Sequence, residues 1–420
     1  MTTNIFKSAI AALALLVVFN SCKKEETKFH IEVTCDPERG TVTGTGDYAE
    51  GSKATIIATP NEGYCFAKWE GYSSTDSIIT VNVSADKTYT AIFGKADIIQ
   101  KFQNGYMKTS ETIDGRTITY EAVPDENCYF LKWSNGNINS VITTHTAETD
   151  LTPIFRQYPE GSIHALFFVS PTKRVIFSKG NLQFNPSLGT HTRADGTTAP
   201  GTWRFAESQT ECIKDDTKEI SATYNGWMDY FAWGTSGWSG SGATYYQPYD
   251  GYISEWFVDD EDEVAFDRES VGKLFGPQGG FDLTGEYAYA DWGVYNPISN
   301  GGNKPGMWRT LSCDEFNYFV LNNTMRRYDY LYWFFNEESN SKFDKEYYNV
   351  DDVIKEIGDN NNVVFFYNFI IKGEYWSATS TPNNDNSAIV SNVFSSLEKI
   401  DFDCFRCFRS PVRLVMDVEE

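Results

Sequence analysis

The chain has 420 residues, the length of two or three ordinary domains, and 41% of them are hydrophobic, enough to build a core in each, which excludes a disordered tail. Its 35 Lys plus Arg stand against 58 Asp plus Glu, a net charge of -23, so a phosphate-binding surface would have to be assembled against the overall field and no nucleic-acid partner is expected. Aromatics reach 16%, with 25 Tyr, 30 Phe and 11 Trp, which points to β-rich structure or stacking surfaces.

At the start of the chain, Met1 and Lys7 precede an apolar run from Ala9 to Phe19, followed by Asn20, Ser21 and Cys22. This reads as a secretory signal over residues 1–21. The run is too short to span a bilayer as a helix, and no longer apolar stretch comes after it, so no transmembrane segment is expected. Cys22 directly after the small Ser21 resembles a bacterial lipobox, which implies that Cys22 is lipidated and that residues 22–28 form a tether, with the membrane as partner through the acyl chains. Lys23, Lys24, Glu25 and Glu26 resemble the export signal of Bacteroidota lipoproteins, which implies the outer face of the outer membrane. The competing readings are a soluble secreted protein cleaved near Ser21 and a merely solvated linker. The chain has eight cysteines; with Cys22 acylated an odd number remains, so they cannot all pair and no disulfide scaffold is implied.

Gly51, Pro60, Phe66, Lys68 and Trp69 recur in the same order and spacing as Gly115, Pro124, Phe130, Lys132 and Trp133, and Ile92 and Phe93 recur as Ile154 and Phe155 after a loop two residues shorter. This predicts a tandem repeat, residues 29–95 and 96–157. In the first copy Lys53 to Thr59, Ile78 to Val83 and Thr88 to Phe93 cluster β-branched and aromatic residues between turn residues, so both units read as small all-β modules. The pattern Gly51, Ala58-Thr59-Pro60, Gly63-Tyr64, Phe66, Lys68-Trp69 and Ala91-Ile92-Phe93 resembles the divergent internalin B-repeats, a resemblance that implies stalk or adhesion modules. The second copy is degenerate, with Val123 before its proline and Asn127-Cys128 in place of Gly63-Tyr64. Trp69 and Trp133 read as core plugs in modules with little other core, in preference to ligand contacts.

Residues 158–420 form a separate, larger region carrying nine of the eleven Trp. Lys173 to Ser178 and Leu182 to Phe184 flank Gly180-Asn181 and read as a hairpin; Trp203 to Ala206 reads as a further strand. Ser312 and Glu315 have capping-box spacing ahead of Phe316, Phe319 and Val320, and a second helix is predicted from Val350 to Ile357, stopped by Gly358. The expected class is therefore mainly β, with an α+β C-terminal domain. The motifs Phe177 to Gln183, Trp203 to Ala206, Trp233 to Gly237, Asp291-Trp292-Gly293, Trp308 to Leu311, Tyr375 to Thr379 and Val412 to Val415 resemble, in that order, a family of paralogous Bacteroidota and Fibrobacter surface proteins. Trp308-Arg309 before a helix, then Tyr375-Trp376-Ser377, then the terminal strand, is also similar to the C-type lectin-like fold shared by the formylglycine-generating enzyme. The resemblance implies loops on one exposed face between Asn383 and Arg409, where Phe405, Arg406, Phe408 and Arg409 are the expected ligand contacts. Alternate core positions of two closing strands would explain the same phenylalanines.

The chemistry-bearing residues are sparse. The histidines His30, His145, His164 and His191 lack metal-ligand spacing, so no metal and no cofactor is expected. Gly44, Gly46 and Ala49 satisfy a dinucleotide pattern but sit in a β module with no helix behind them, and read as turn glycine. Gly234-Thr235-Ser236-Gly237 is followed by Trp238 and so is not a nucleophile elbow. Cys404 and Cys407 have redox spacing in a strand-like aromatic run, without the helix N-terminus that would activate a thiol. Asp259 to Glu263 read as a solvated loop ahead of a calcium site, and Asp401 and Asp403 as one polar strand face ahead of an acid-base pair. The function expected is a non-enzymatic, lipid-anchored surface protein whose repeats act as a stalk for a lectin-like domain that binds a glycan or a protein. The alternatives are an enzyme on the formylglycine-generating-enzyme-like fold and a purely structural envelope protein.

Overall fold

The computed structural model describes residues 26–113, 116–148, 150–213, 220–240, 247–250, 281–328, 331–335, 349–357, 362–366, 374–380, 387–392, 401–405 and 409–418. The chain divides into two compact units, one of residues 1–99, 108–121 and 141–149 and one of 100–107, 122–140 and 150–420. Both are built mainly from strands, and among the described residues no helix is long and apolar enough to cross a membrane.

The first repeat contains β1 (Lys28–Cys35), β2 (Gly40–Thr43), β3 (Gly46–Ala49), β4 (Lys53–Pro60), β5 (Tyr64–Glu70), β6 (Ile78–Asn82) and β7 (Lys87–Lys95). They form two sheets, ordered β3-β1-β7-β5 and β2-β4-β6, with β1 and β7 parallel and the other neighbours antiparallel. The strands alternate because one face of each is buried: Ala54, Ile56 and Ala58 of β4 and Ile79 and Val81 of β6 point into the core beside Ile31, Val33, Tyr89, Ala91 and Phe93. Gly44 lies in the turn between β2 and β3 at φ +111°, where an added Cβ would stand 2.6 Å from the Thr55 carbonyl oxygen. Glycine is needed there for its conformation and for the close approach, and the turn leads into the strand β3.

The second repeat contains β8 (Ile98–Phe102), β9 (Gly105–Glu111), β10 (Ile118–Pro124), β11 (Cys128–Trp133), β12 (Val141–Thr144) and β13 (Pro153–Gln157). Its tryptophan is the counterpart of the first. Trp69 is 3% exposed and donates from Nε1 to the Asp76 carbonyl at 3.0 Å; Trp133 is 0% exposed and donates to the Asn139 carbonyl at 2.7 Å. Phe66 lies 5.4 Å from Trp69 and Phe130 lies 5.4 Å from Trp133, ring centre to ring centre. The same register shift interrupts both ladders, between Phe66 and Lys68 and between Phe130 and Lys132. Gly40 and Gly105 are also equivalent: an added Cβ would stand 2.5 Å from the ring of Phe93 at the first and 2.8 Å from that of Phe155 at the second. Both tryptophans are core residues.

In the larger unit β11 presents Tyr129 and Leu131 to Ile176 and Val418, and the Arg174 guanidinium donates to the Leu131 carbonyl. The later strands begin with β14 (Phe167–Phe168), β15 (Arg174–Phe177), β16 (Leu182–Thr192), β17 (Thr198–Phe205) and β18 (Tyr230–Phe231). A short helix α1 (Trp292–Tyr295) then leads to β19 (Arg309–Thr310) and α2 (Cys313–Asn322). Next come β20 (Thr324–Tyr328), β21 (Leu331–Phe335), α3 (Val350–Ile357), β22 (Val364–Phe366), β23 (Glu374–Ser380), β24 (Ser387–Asn392), β25 (Asp401–Phe405), β26 (Ser410–Pro411) and β27 (Leu414–Asp417). The sheets are β14-β15-β27-β19, β16-β17, β18-β26, β20-β21-β22 and β23-β24-β25. The hairpin expected across Gly180-Asn181 does not form. β15 pairs with β14 and β27, while β16 pairs with β17; the partner that wins for β15 is the distant closing strand, whose Val415 shares its core with Val175 and Phe177.

Two apolar clusters fill the unit. One is phenylalanine-rich, with Phe167, Phe177, Phe316, Phe319, Phe334 and Phe366 beside Tyr375 and Val415. The other holds Trp203, Trp233, Trp292, Trp308 and Trp376. The capping box at α2 has both of its hydrogen bonds, Glu315 N–H to Ser312 Oγ at 3.2 Å and Ser312 N–H to Glu315 Oε2 at 3.1 Å. Glu315 also accepts from Arg309 Nη1 at 2.6 Å and from Lys173 Nζ at 2.8 Å, and Asp417 of β27 accepts from Arg309 Nε at 3.0 Å. The helix start, β19 and the closing strand are thus joined through one guanidinium.

Candidate functional site

Only part of the sequence-predicted contact set falls on described residues. Cys22, Arg406 and Phe408 lie outside the described residues, as do Asp259 to Glu263. Phe405 ends β25, and the segment expected as exposed loops includes β24 and β25, which continue the ladder from β23. The expectation of an exposed Arg409 is corrected: it is 6% exposed and donates from Nη2 to the Tyr249 carbonyl. Cys35, Cys65, Cys128, Cys212 and Cys313 are thiols, none joined in a disulfide.

The structure instead opens a cleft at the far end of the β16-β17 hairpin. This ladder shifts register between Asn185 and Thr190, and such irregularities re-aim side chains. Thr190, His191, Thr192 and Thr202 from the hairpin, with Pro297, Ser299 and Asn303 from the loop after α1, line a cleft of about 420 Å³ floored by Trp203. The loop is fixed to the hairpin edge. Asn300 takes the place of a neighbouring strand, accepting from Phe205 N–H at 2.7 Å and donating to the Phe205 carbonyl at 2.9 Å, while Ser299 N–H donates to the Trp203 carbonyl at 2.9 Å. The lining is therefore a set of hydroxyls, an amide and an imidazole on a rigid frame.

His191 has Nδ1 2.8 Å from the Gly201 carbonyl and Nε2 3.0 Å from Asn296 Oδ1. The Asn296 amide is oriented by donation from Nδ2 to the carbonyls of Ser236 and Trp292, at 3.0 and 3.1 Å. Its oxygen must therefore face the ring. Both imidazole nitrogens meet acceptors, so a neutral ring satisfies only one. Burial holds the imidazole below its ordinary range, the two hydrogen bonds oppose that, and the nearby Arg193 charge adds to it.

Beside the cleft, and sharing His191 and Trp203 with it, is a smaller recess of about 30 Å³ bounded by Phe184, Pro186, Arg193, Pro200, Gln247 and Tyr249 among others. Arg193 stands over the Tyr295 ring at 5.3 Å. Gly237, at φ +84°, leaves room for it: a Cβ there would stand 2.6 Å from Arg193 Nη2. The nearby Asp195 accepts from Thr197 Oγ1 at 2.6 Å and from Tyr295 Oη at 2.8 Å, and the Thr197 hydroxyl, against a small opposing effect of burial, keeps its carboxyl below the ordinary value.

Sequence reasoning weighs His191 only as a metal ligand and misses the rest. Thr190, Thr192 and Thr202 are legible as alternating hydroxyls around a strand pair, but their meeting with a loop about a hundred residues later is not. Comparison with known proteins adds one match. No curated protein and no solved structure matches the chain. Residues 31–97, the first repeat with its buried Trp69, match the divergent InlB B-repeat domain.

Proposed function

We propose that the protein is a non-enzymatic, lipid-anchored cell-surface binding protein of the bacterial outer membrane, in which the repeats serve as a stalk and the cleft of the larger unit binds a glycan. The observation that carries the reading is the cleft itself. Thr190, Thr192, Ser299 and Asn303 offer several hydrogen-bonding groups in an open site of about 420 Å³ on a fixed frame, beside Thr202, whose hydroxyl donates to the Leu188 carbonyl, which suits a polyhydroxylated ligand that exchanges water for protein contacts. The B-repeat match over residues 31–97 agrees with a stalk, and the signal-like residues before Cys22 agree with export and anchoring. The lectin-like reading of the larger unit rests on the resemblance carried by Trp308-Arg309, the capped helix, Tyr375-Trp376-Ser377 and the closing strand. Capture of the full chain on a glycan array tests this. A defined subset of glycans should be retained, and the double variant Thr192→Val, Asn303→Ala should lose about tenfold or more in affinity at unchanged melting temperature. Capture unaltered by that variant would place the ligand elsewhere, and no capture at all would refute glycan binding.

A further inference from the structure

The lining of the cleft carries no charge. Thr190, Thr192, Thr202, Ser299 and Asn303 are neutral hydrogen-bonding groups, and Pro297 is apolar. His191 has both ring nitrogens at internal partners, the Gly201 carbonyl and Asn296 Oδ1. Trp203 is 0% exposed and so presents no ring face for stacking. Arg193 and Asp195, further along the hairpin, act on each other, and Lys304, beside Asn303 in the chain, is exposed but not part of the lining. The Thr202 hydroxyl is occupied by the Leu188 carbonyl. Among the described residues, the side chains of Thr190, Thr192, Ser299 and Asn303 have no hydrogen-bond partner within the protein. Asn303 also stands in the left-handed region at φ +49°, with its N–H bonded to the Ile298 carbonyl at 2.9 Å. Asparagine tolerates that conformation, and residues held in it gather at functional sites.

Resting on the glycan reading of the cleft, we infer that its ligand is an uncharged glycan, selected by Asn303 through a pair of adjacent hydroxyls. A side-chain amide sets an acceptor beside a donor, and two neighbouring sugar hydroxyls can answer both at once. The threonine and serine hydroxyls, which donate or accept, complete the set. A uronate or sulfate brought to this lining would give up hydration without meeting an opposite charge. The net charge of -23 opposes it further. An ammonium is favoured by that field, but it too would be desolvated among groups that include no carboxylate. A neutral polyol exchanges water for these groups with no such cost.

The test is capture of the full chain on an array that holds neutral glycans with their uronic, sulfated and free-amino counterparts, read at about 0.05 and 0.5 M salt. The retained set should be neutral, its affinity should change less than about twofold between the two salts, and the charged counterparts should bind about tenfold or more weakly. Asn303→Asp keeps the size and tolerates the same backbone but replaces the donor by a charge, so neutral binding should weaken about tenfold or more at unchanged melting temperature. If that variant melts lower, Asn303→Gly, which keeps the left-handed backbone and removes the amide, carries the test with the same expected loss. Preferential retention of a charged set, a salt effect above about twofold, or neutral binding unaltered in the Asn303 variant overturns the inference and leaves glycan binding standing. Capture of no glycan at all removes both.

Discussion

Removing the Arg309 guanidinium tests whether the motif Trp308-Arg309-Thr310-Leu311 holds the larger unit together. Arg309 is bonded to Glu315 at 2.6 and 2.8 Å and to Asp417 at 3.0 and 3.1 Å. The Glu315 side is mostly buried, with side-chain exposures of 22% for Arg309 and 16% for Glu315, so this contact contributes about 2–3 kcal/mol. Asp417 is 44% exposed, and solvent screening reduces its share to about 1 kcal/mol. Arg309→Met should therefore cost about 3–4 kcal/mol at pH 7, read as a lower urea midpoint at unchanged slope. Burial pushes both carboxyls up, but Arg309 and Lys173 outweigh it, so both sit below their ordinary values of 4.5 and 3.8. A depressed carboxyl adds stability that is present above its unfolded value and is lost as pH falls through its folded one. The gap between wild type and variant should thus be constant from pH 7 to about 5 and narrow progressively as the pH falls below the ordinary values of 4.5 and 3.8. A loss under about 1 kcal/mol, or a gap that does not narrow as the pH falls below about 4, would refute the reasoning.

The repeats and the leader give two further outcomes. Trp69→Ala and Trp133→Ala should each cost about 3–5 kcal/mol in the repeat that holds them, as for other large buried aromatics; denaturation curves within about 1 kcal/mol of wild type would restore a ligand role to these residues. Cys22→Ala should abolish incorporation of a labelled fatty acid and release the full chain from the membrane fraction, and a variant that stays in that fraction, with neither form acylated, would show that anchoring does not depend on Cys22.

Local chemistry made much of the molecule legible. The period-two burial of β4 and β6 falls on Ala54, Ile56, Ala58, Ile79 and Val81 within runs rich in β-branched residues, with Ile57 and Ile78 on the outer side, so strands were readable without knowing their partners. The α2 capping box needs only Ser312 and Glu315 three apart, and α3 needs only its own pattern. The equivalence of Trp69 and Trp133 was visible because each repeat buries a large ring by the same strand register. Tertiary structure decided whatever depends on residues distant in sequence. β15 has no local reason to prefer β27 to β16; shared burial with Val415 supplies it. Arg409 looked like an interface anchor because its composition is that of a surface, yet the carbonyl of Tyr249, far along the chain, receives its proton donor. The cleft is the clearest case. Thr190, Thr192 and Thr202 are ordinary strand residues until Asn300 bonds to Phe205 and brings Ser299 and Asn303 against them, and a loop's position on a strand edge is set by that pairing, which no stretch of sequence contains by itself.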